Sequence, residues 1–135
     1  MKVLVDTSVW SLALRRTQVV ENSFVSELRE LIKELRVQMI GPIRQELLSG
    51  LRTPDQFISL RNHLQAFSDL ELVSADFEHA AECFNTCRNK GVQGSNTDFL
   101  ICAIGHRHSL PILTTDGDFR LFQQHLPISL HQPRS

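Results

Sequence analysis

The sequence predicts an α/β domain of three layers, α/β/α, built on a mainly parallel sheet of about five strands. Three observations predict it. Val3-Leu4-Val5 is a short, continuous apolar run that stops at Asp6, as a strand buried on both faces does. Runs of the same kind recur at Val37–Ile40, Leu70–Val73, Pro111–Thr114 and Ile128–Leu130. Stretches of helical periodicity lie between them, and strands alternating with helices form βαβ units whose crossovers cover both faces of a parallel sheet.

Taken in order, Asp6-Thr7-Ser8 leads from the first strand into a helix through Val9, Trp10 and Leu12. Phe24, Val25, Leu28, Leu31, Ile32 and Leu35 then form one apolar stripe of a second helix, with Glu27, Arg29, Glu30, Lys33 and Glu34 pointing to water. Gly41-Pro42 opens a third helix with Pro at its favoured start, and Gly50 suits its stop. Thr53-Pro54-Asp55-Gln56 reads as a capping box before Phe57, Ile58, Leu60, Leu64 and Phe67. Ser74 caps a helix running toward Gly91. Ser95 or Asn96 caps the helix of Phe99, Leu100, Ile101, Ala103 and Ile104. A last helix near Asp118–His125 precedes Pro127.

Composition sets the outer bounds. With 135 residues, 41% hydrophobic and 21% charged, the chain has ordinary globular usage and room for a real core, so one domain over residues 1–135 is expected. A net charge of −1 excludes a polybasic arm or an acidic tail. It does not exclude nucleic acid, because a site can be locally charged on a neutral protein. Arg outnumbers Lys 11 to 3, which suits bidentate phosphate contacts, although an Arg-rich solvated surface explains the bias equally well. Three cysteines, Cys83, Cys87 and Cys102, are an odd set unlike a disulfide framework. Asp6 stands where a signal peptide needs its apolar stretch, and no apolar run approaches the roughly 18 residues that cross a bilayer. A cytoplasmic protein with no membrane partner is expected.

The informative feature is where a few carboxylates fall. Asp6 ends the first strand, Glu46 lies in the first turns of the helix after Pro42, and Asp98 lies in the first turn of its helix. Asp116 follows the strand Pro111–Thr114, with Asp118 two residues on. In a parallel α/β sheet, strand C-termini and the following helix N-termini share the edge where ligands bind. Carboxylates gathered there repel one another unless a cation neutralises them. Oxygen donors without thiolate or imidazole suit Mg²⁺ or Mn²⁺, whose natural chemistry here is assisted attack of water on a phosphodiester. Singly, each acid has a plainer reading: Asp6, Asp98, Asp116 and Asp118 as helix caps, Glu46 as an exposed helical Glu. Capping does not explain why Asp6 and Asp116 each directly follow an apolar strand.

Four segments then carry a resemblance. Val3-Leu4-Val5-Asp6-Thr7-Ser8-Val9-Trp10, Ile43-Arg44-Gln45-Glu46-Leu47-Leu48-Ser49-Gly50, Asn96-Thr97-Asp98-Phe99-Leu100-Ile101-Cys102-Ala103 and Ile112-Leu113-Thr114-Thr115-Asp116-Gly117-Asp118-Phe119 resemble the motif blocks of PIN domains. Among these, the VapC toxins of type II toxin–antitoxin systems are the nearest branch. The resemblance spans nearly the whole chain, in order. It implies a Mg²⁺- or Mn²⁺-dependent endoribonuclease with Asp6 and Asp98 as principal metal ligands. Glu46 and Asp116 complete the acidic site, and Thr114 and Ser8 support it with hydroxyls. Asp118 matches a more variable acid. It further implies in-line hydrolysis to a 3′-hydroxyl and a 5′-phosphate, an RNA substrate, a small cognate antitoxin, and a homodimer.

Other readings compete. His79, Cys83 and Cys87 share one helical face, but a zinc site wants a fourth ligand or partner motif that the chain does not supply. Cys102, on an apolar helix, reads as core. His106-Arg107-His108 reads as a basic last turn. An aspartate-based phosphatase wants a second acid where Ser8 stands, and a receiver domain wants a late Lys that Lys2, Lys33 and Lys90 do not provide. The chain could also be a PIN-like binding module, docking a partner through the apolar stripes of its second and fourth helices.

Overall fold

The computed structural model describes residues 1–15 and 22–134. Its sheet is parallel and centred on β1 (Val3–Val5), with β2 (Val37–Gln38) on one side and β3 (Ile112–Leu113) on the other. Val3 pairs with Val37, Leu4 with both Gln38 and Ile112, and Val5 with Leu113. All three β1 side chains are fully buried. Since successive strand side chains point to opposite faces, both faces of the sheet are covered, as the continuous apolar run required.

The expected five strands resolve into three, with two further segments attached by single bridges. Met39 bridges Asp69 at one edge, and Ile112 bridges Leu130 at the other, both parallel. The Leu70–Val73 and Ile128–Leu130 runs are therefore edge contacts and not strands. Few bonds hold them, Leu70 N–H to Met39 O (3.0 Å) at one edge and Ile112 N–H to Ser129 O (2.9 Å) with His131 N–H to Ile112 O (2.8 Å) at the other, and their apolar residues serve packing.

Seven helices are present among the described residues: α1 (Thr7–Leu14), α2 (Ser23–Lys33), α3 (Gly41–Leu48), α4 (Pro54–Leu64), α5 (Ser74–Asn89), α6 (Asn96–Arg107) and α7 (Asp118–Gln123). α1 packs on α2 and α3, α3 on α4, and α5 on α6, while α6 lies against β3. α6 is buried from Phe99 through Gly105, so it is a core helix and not an amphipathic cover. Gly105 is what permits this closeness: a Cβ there would stand 3.0 Å from Leu110 O and 3.1 Å from Ile112 Cδ1.

Most helix ends follow their sequence signals. Thr53 Oγ1 accepts from Gln56 N–H (3.2 Å), although Gln56 Oε1 turns to Arg52 N–H, so the box is half-formed. α5 departs from expectation: Ser74 is its first residue and not its cap, which is Val73, whose amide donates to Asp76. Gly50 and Gly91 follow their helices at φ +83° and +75°, the left-handed conformation that glycine adopts most easily.

Three expectations for side chains are corrected. Leu35 does not extend the α2 stripe: the helix ends at Lys33, and Leu35 turns the chain at φ +57° with 84% of its surface exposed. Glu27 does not face water. It is buried, accepting from Arg134 N–H (3.2 Å) and Nε (3.2 Å) and lying 2.6 Å from His131 Nε2. Arg107 and His108 are more than a solvated last turn, because both bind the fully buried carboxylate of Asp76. In each case the deciding partner lies far away along the chain or the backbone turns where periodicity alone would continue.

Candidate active site

The order β2-β1-β3 makes β1 the switch point of the sheet, since the chain leaves it toward one neighbour and returns to the other. Ligands bind in the crevice at the carboxyl ends of strands at such a point. Asp6 occupies that place. Its amide donates to Leu113 O (2.9 Å), which continues the β1–β3 ladder by one step and sets Asp6 beside Thr114.

Asp6 stands at the cap position of α1, yet its side chain makes no cap bond. Its Oδ2 instead accepts from Ser8 Oγ and Thr114 Oγ1, each at 2.8 Å. Those hydroxyls are themselves anchored: Thr115 N–H donates to Ser8 Oγ (3.1 Å) and Asp116 N–H to Thr114 Oγ1 (3.0 Å). Two short-range motifs a hundred residues apart thus lock together around one carboxylate, 7% exposed, whose other oxygen carries no such bond. The capping reading of Asp6 is set aside.

Asp98 does both things at once. It is the third residue of a complete capping box, its Oδ2 accepting from Ser95 N–H while Ser95 Oγ accepts from Asp98 N–H, both at 3.1 Å. The box fixes one oxygen and the rotamer. Burial pushes the Asp98 carboxyl up; the Ser95 bonds oppose this, and Asp6 and Asp116 add to the rise. Glu46 is likewise raised, by burial first and then by Asp6 and Asp98, against a long bond from Thr7 Oγ1 (3.4 Å). Asp6 and Asp98 thus bear on Glu46, and Asp6 and Asp116 bear on Asp98. Asp116 Oδ1 accepts from Asp118 N–H (2.9 Å). Asp118 itself is exposed and joins the site only through that amide.

Among the described residues, none of these four acids forms an ion pair with Lys, Arg or His, and no three His, Cys, Asp or Glu side chains already converge at ion-holding distances. The set is an open one. That suits Mg²⁺ or Mn²⁺, since Mg²⁺ keeps several waters and takes one or two carboxylates together with substrate phosphate. A cleft of about 440 Å³ adjoins the Glu46 side, lined by Thr7, Gln45, Glu46, Ser49 and Thr97.

A scan of protein families matches residues 3–123 to the PIN domain. The chain belongs to the PIN-domain family. This PIN domain is similar in structure to a chain of FitAcB from Neisseria gonorrhoeae, at 23% identity over 97% of each chain with a TM-score of 0.76. It is similar to a chain of VapBC2 from Rickettsia felis bound to a DNA fragment from their promoter, at 18% identity over 97% of this chain and 98% of that one, TM-score 0.77. A third likeness is to VapBC-1 from nontypeable Haemophilus influenzae, at 13% identity over all of both chains, TM-score 0.76. At these identities the likeness concerns the fold. A search of curated proteins finds no match.

Sequence reasoning passed over Thr7 as a site residue, although it stands directly after Asp6 and its hydroxyl reaches Glu46. The zinc reading does not assemble. His79 Nε2 lies 2.9 Å from His106 Nδ1 and 3.8 Å from Cys83 Sγ, but Cys87 is fully buried in the core with Cys102. Burial pushes the Cys83 thiol up to about 11 and those of Cys87 and Cys102 above their ordinary value, so these are inert packing thiols. No helix of the described residues is long and apolar enough to cross a membrane.

Proposed function

We propose that this PIN domain is the toxin of a type II toxin–antitoxin pair, a Mg²⁺- or Mn²⁺-dependent endoribonuclease that hydrolyses RNA phosphodiester bonds. One observation carries the reading. Asp6, Glu46, Asp98 and Asp116 come from separate segments near the switch point of a parallel sheet, and burial together with the neighbouring acids holds the Glu46 and Asp98 carboxyls above their ordinary values. Structure alone gains nothing from that repulsion; a divalent cation relieves it.

Asp6 and Asp98 would hold the ion, each with one oxygen fixed by its own hydrogen bonds and the other available. When bound, the ion supplies Lewis-acid polarisation of the phosphoryl group and offsets charge on the departing 3′ oxygen. Asp116 completes the set, its position fixed by Thr114. Glu46, on a separate helix, would accept a hydrogen bond from the attacking water and orient it. Hydrolysis of this kind leaves a 3′-hydroxyl and a 5′-phosphate and does not involve the ribose 2′-hydroxyl.

The partners in this reading are the RNA, a small cognate antitoxin and a second copy of the chain. Exposed apolar residues support an antitoxin contact: Leu14 and Leu51, each more than a third exposed, line a cleft of about 550 Å³ between the end of α1 and α4. The deciding experiment compares RNA cleavage by the wild type, Asp6→Asn and Asp98→Asn with Mg²⁺ and with chelator. Expected is metal-dependent cutting by the wild type and a loss of at least about 100-fold in each variant, the ~2.7 kcal/mol scale of a transition-state charge contact. Equal activity in all three, or a 2′,3′-cyclic phosphate product, would refute the proposal.

A further inference from the structure

A second, smaller cleft opens beside the acidic site and shares Thr114 and Asp116 with it. It encloses about 130 Å³, and its other walls include Phe24 of α2, Arg120 of α7, and Leu130 and Gln132 of the C-terminal segment. The walls divide by chemistry. Phe24 and Leu130 offer an apolar slot, while Arg120 and the Gln132 amide offer polar recognition groups next to the carboxylates.

The width of this slot is fixed by a buried network that the acidic site does not use. Glu27, only 2% exposed, binds His131 and Arg134. It thereby ties α2, which carries Phe24, to the segment that carries Leu130. The Asn22 side chain holds the start of α2 by accepting from Phe24 N–H at 2.8 Å. On the other wall, His131 N–H donates to Ile112 O at 2.8 Å. Both walls are anchored, so the cleft is preformed.

Its size is selective. A closed cavity of about 150 Å³ accommodates benzene; this cleft, open to solvent on one side, has room for a single six-membered ring within its 130 Å³, and the second ring of a purine would lie outside it. An aromatic side chain beside a slot of that size is a stacking platform for a base, and a guanidinium beside it suits the adjoining phosphate. We propose that this cleft receives the base of a pyrimidine nucleotide next to the cleaved bond, with Phe24 against the ring and Arg120 on the phosphate. As a substrate subsite it rests on the nuclease reading.

Two measurements on the full chain test it. In NMR titrations with cytidine 5′-monophosphate and adenosine 5′-monophosphate, the Thr115 and Gly117 amides shift with the cytidine nucleotide, and the adenosine nucleotide binds at least about tenfold more weakly. Phe24→Leu, which keeps apolar packing but removes the ring face, and Arg120→Gln each weaken cytidine nucleotide binding by about tenfold. Equal affinity for the two nucleotides, or unchanged shifts in both variants, overturns the proposal. End-mapped products from a randomised RNA show a pyrimidine enriched at one position beside the cut, and Phe24→Leu flattens that bias. Cutting without any such bias refutes the subsite and leaves the nuclease; cytidine nucleotide binding as described with no RNA cut refutes the nuclease and leaves the slot.

Discussion

Asp6 shows how much of a site can rest on one oxygen. Ser8 and Thr114 both donate to Oδ2, and Thr114 also accepts from the Asp116 amide. The Thr114 hydroxyl therefore couples two acids. Thr114→Val keeps shape and removes both bonds, leaving a half-buried amide unpaired. A fall in kcat of about tenfold, or ~1.4 kcal/mol, with KM nearly unchanged is expected; steady-state kinetics check it. Glu46 carries a pH prediction. Its carboxyl is raised above its ordinary 4.5 by partial desolvation, Asp6 and Asp98, so folding opposes its ionisation. Ionising it costs stability once pH rises past 4.5, and that cost vanishes as pH falls below the same range. Glu46→Gln retains an acceptor for Thr7 and removes the charge. With chelator at neutral pH it raises Tm by a few degrees, and the gain shrinks toward zero at about pH 4. An unchanged or lower Tm near neutrality would contradict the account.

At the scale of elements, α5 and α6 are joined at one end by a buried charge. Asp76, fully buried at the start of α5, binds Arg107 and His108 at the end of α6. Burial alone would raise its carboxyl, but the Val73 amide, His108 and Arg107 outweigh burial and hold it below its ordinary value. A lowered carboxylate stabilises the fold above its unfolded pKa of 3.8, and that contribution is lost as pH falls through the folded value. Asp76→Ala removes the link while Arg107 and His108, about one-third exposed, regain water. A loss of about 2 kcal/mol in denaturant unfolding at neutral pH is expected, with the slope unchanged. The loss should fade as pH falls below 3.8 and through the lower folded-state value, where the wild-type carboxylate takes up its proton. An equal loss at all pH values would mean that packing and not charge holds the two helices.

Across the whole molecule, the position of the site depends on how closely α6 approaches the sheet. Gly105 sets that distance, because any Cβ there meets Leu110 O and Ile112. The same helix carries Asp98 in its first turn, and Ile112 begins the strand that leads to Thr114. Gly105→Ala therefore presses on both sides of the crevice: it destabilises the fold by about 1–3 kcal/mol. It also lowers cleavage more than Mg²⁺ affinity, because misplacement penalises aligned chemistry steeply. Thermal melts and metal titrations separate the two effects. A variant as stable and as active as the wild type would show that α6 moves away at no cost.

The strands, the helix boundaries and the four acids were legible in the sequence because each depends on residues close together in the chain. An apolar triplet before Asp6, a Pro at a helix start and a Ser95–Asp98 capping box are local signals with local causes. Two edge segments read as strands for the same reason, since apolar character shows burial and does not show how many ladder bonds form. Glu27 reads as a solvent-facing helix residue, because the Arg134 and His131 groups that bury it arrive from as far as 107 residues away. The tertiary structure alone decided that Asp6 is held by hydroxyls rather than spent on a cap, that Asp98 completes a capping box beside it, and that a narrow slot adjoins them. Periodicity records which side of an element is apolar; only the folded chain fixes which charge meets which partner, and at what distance.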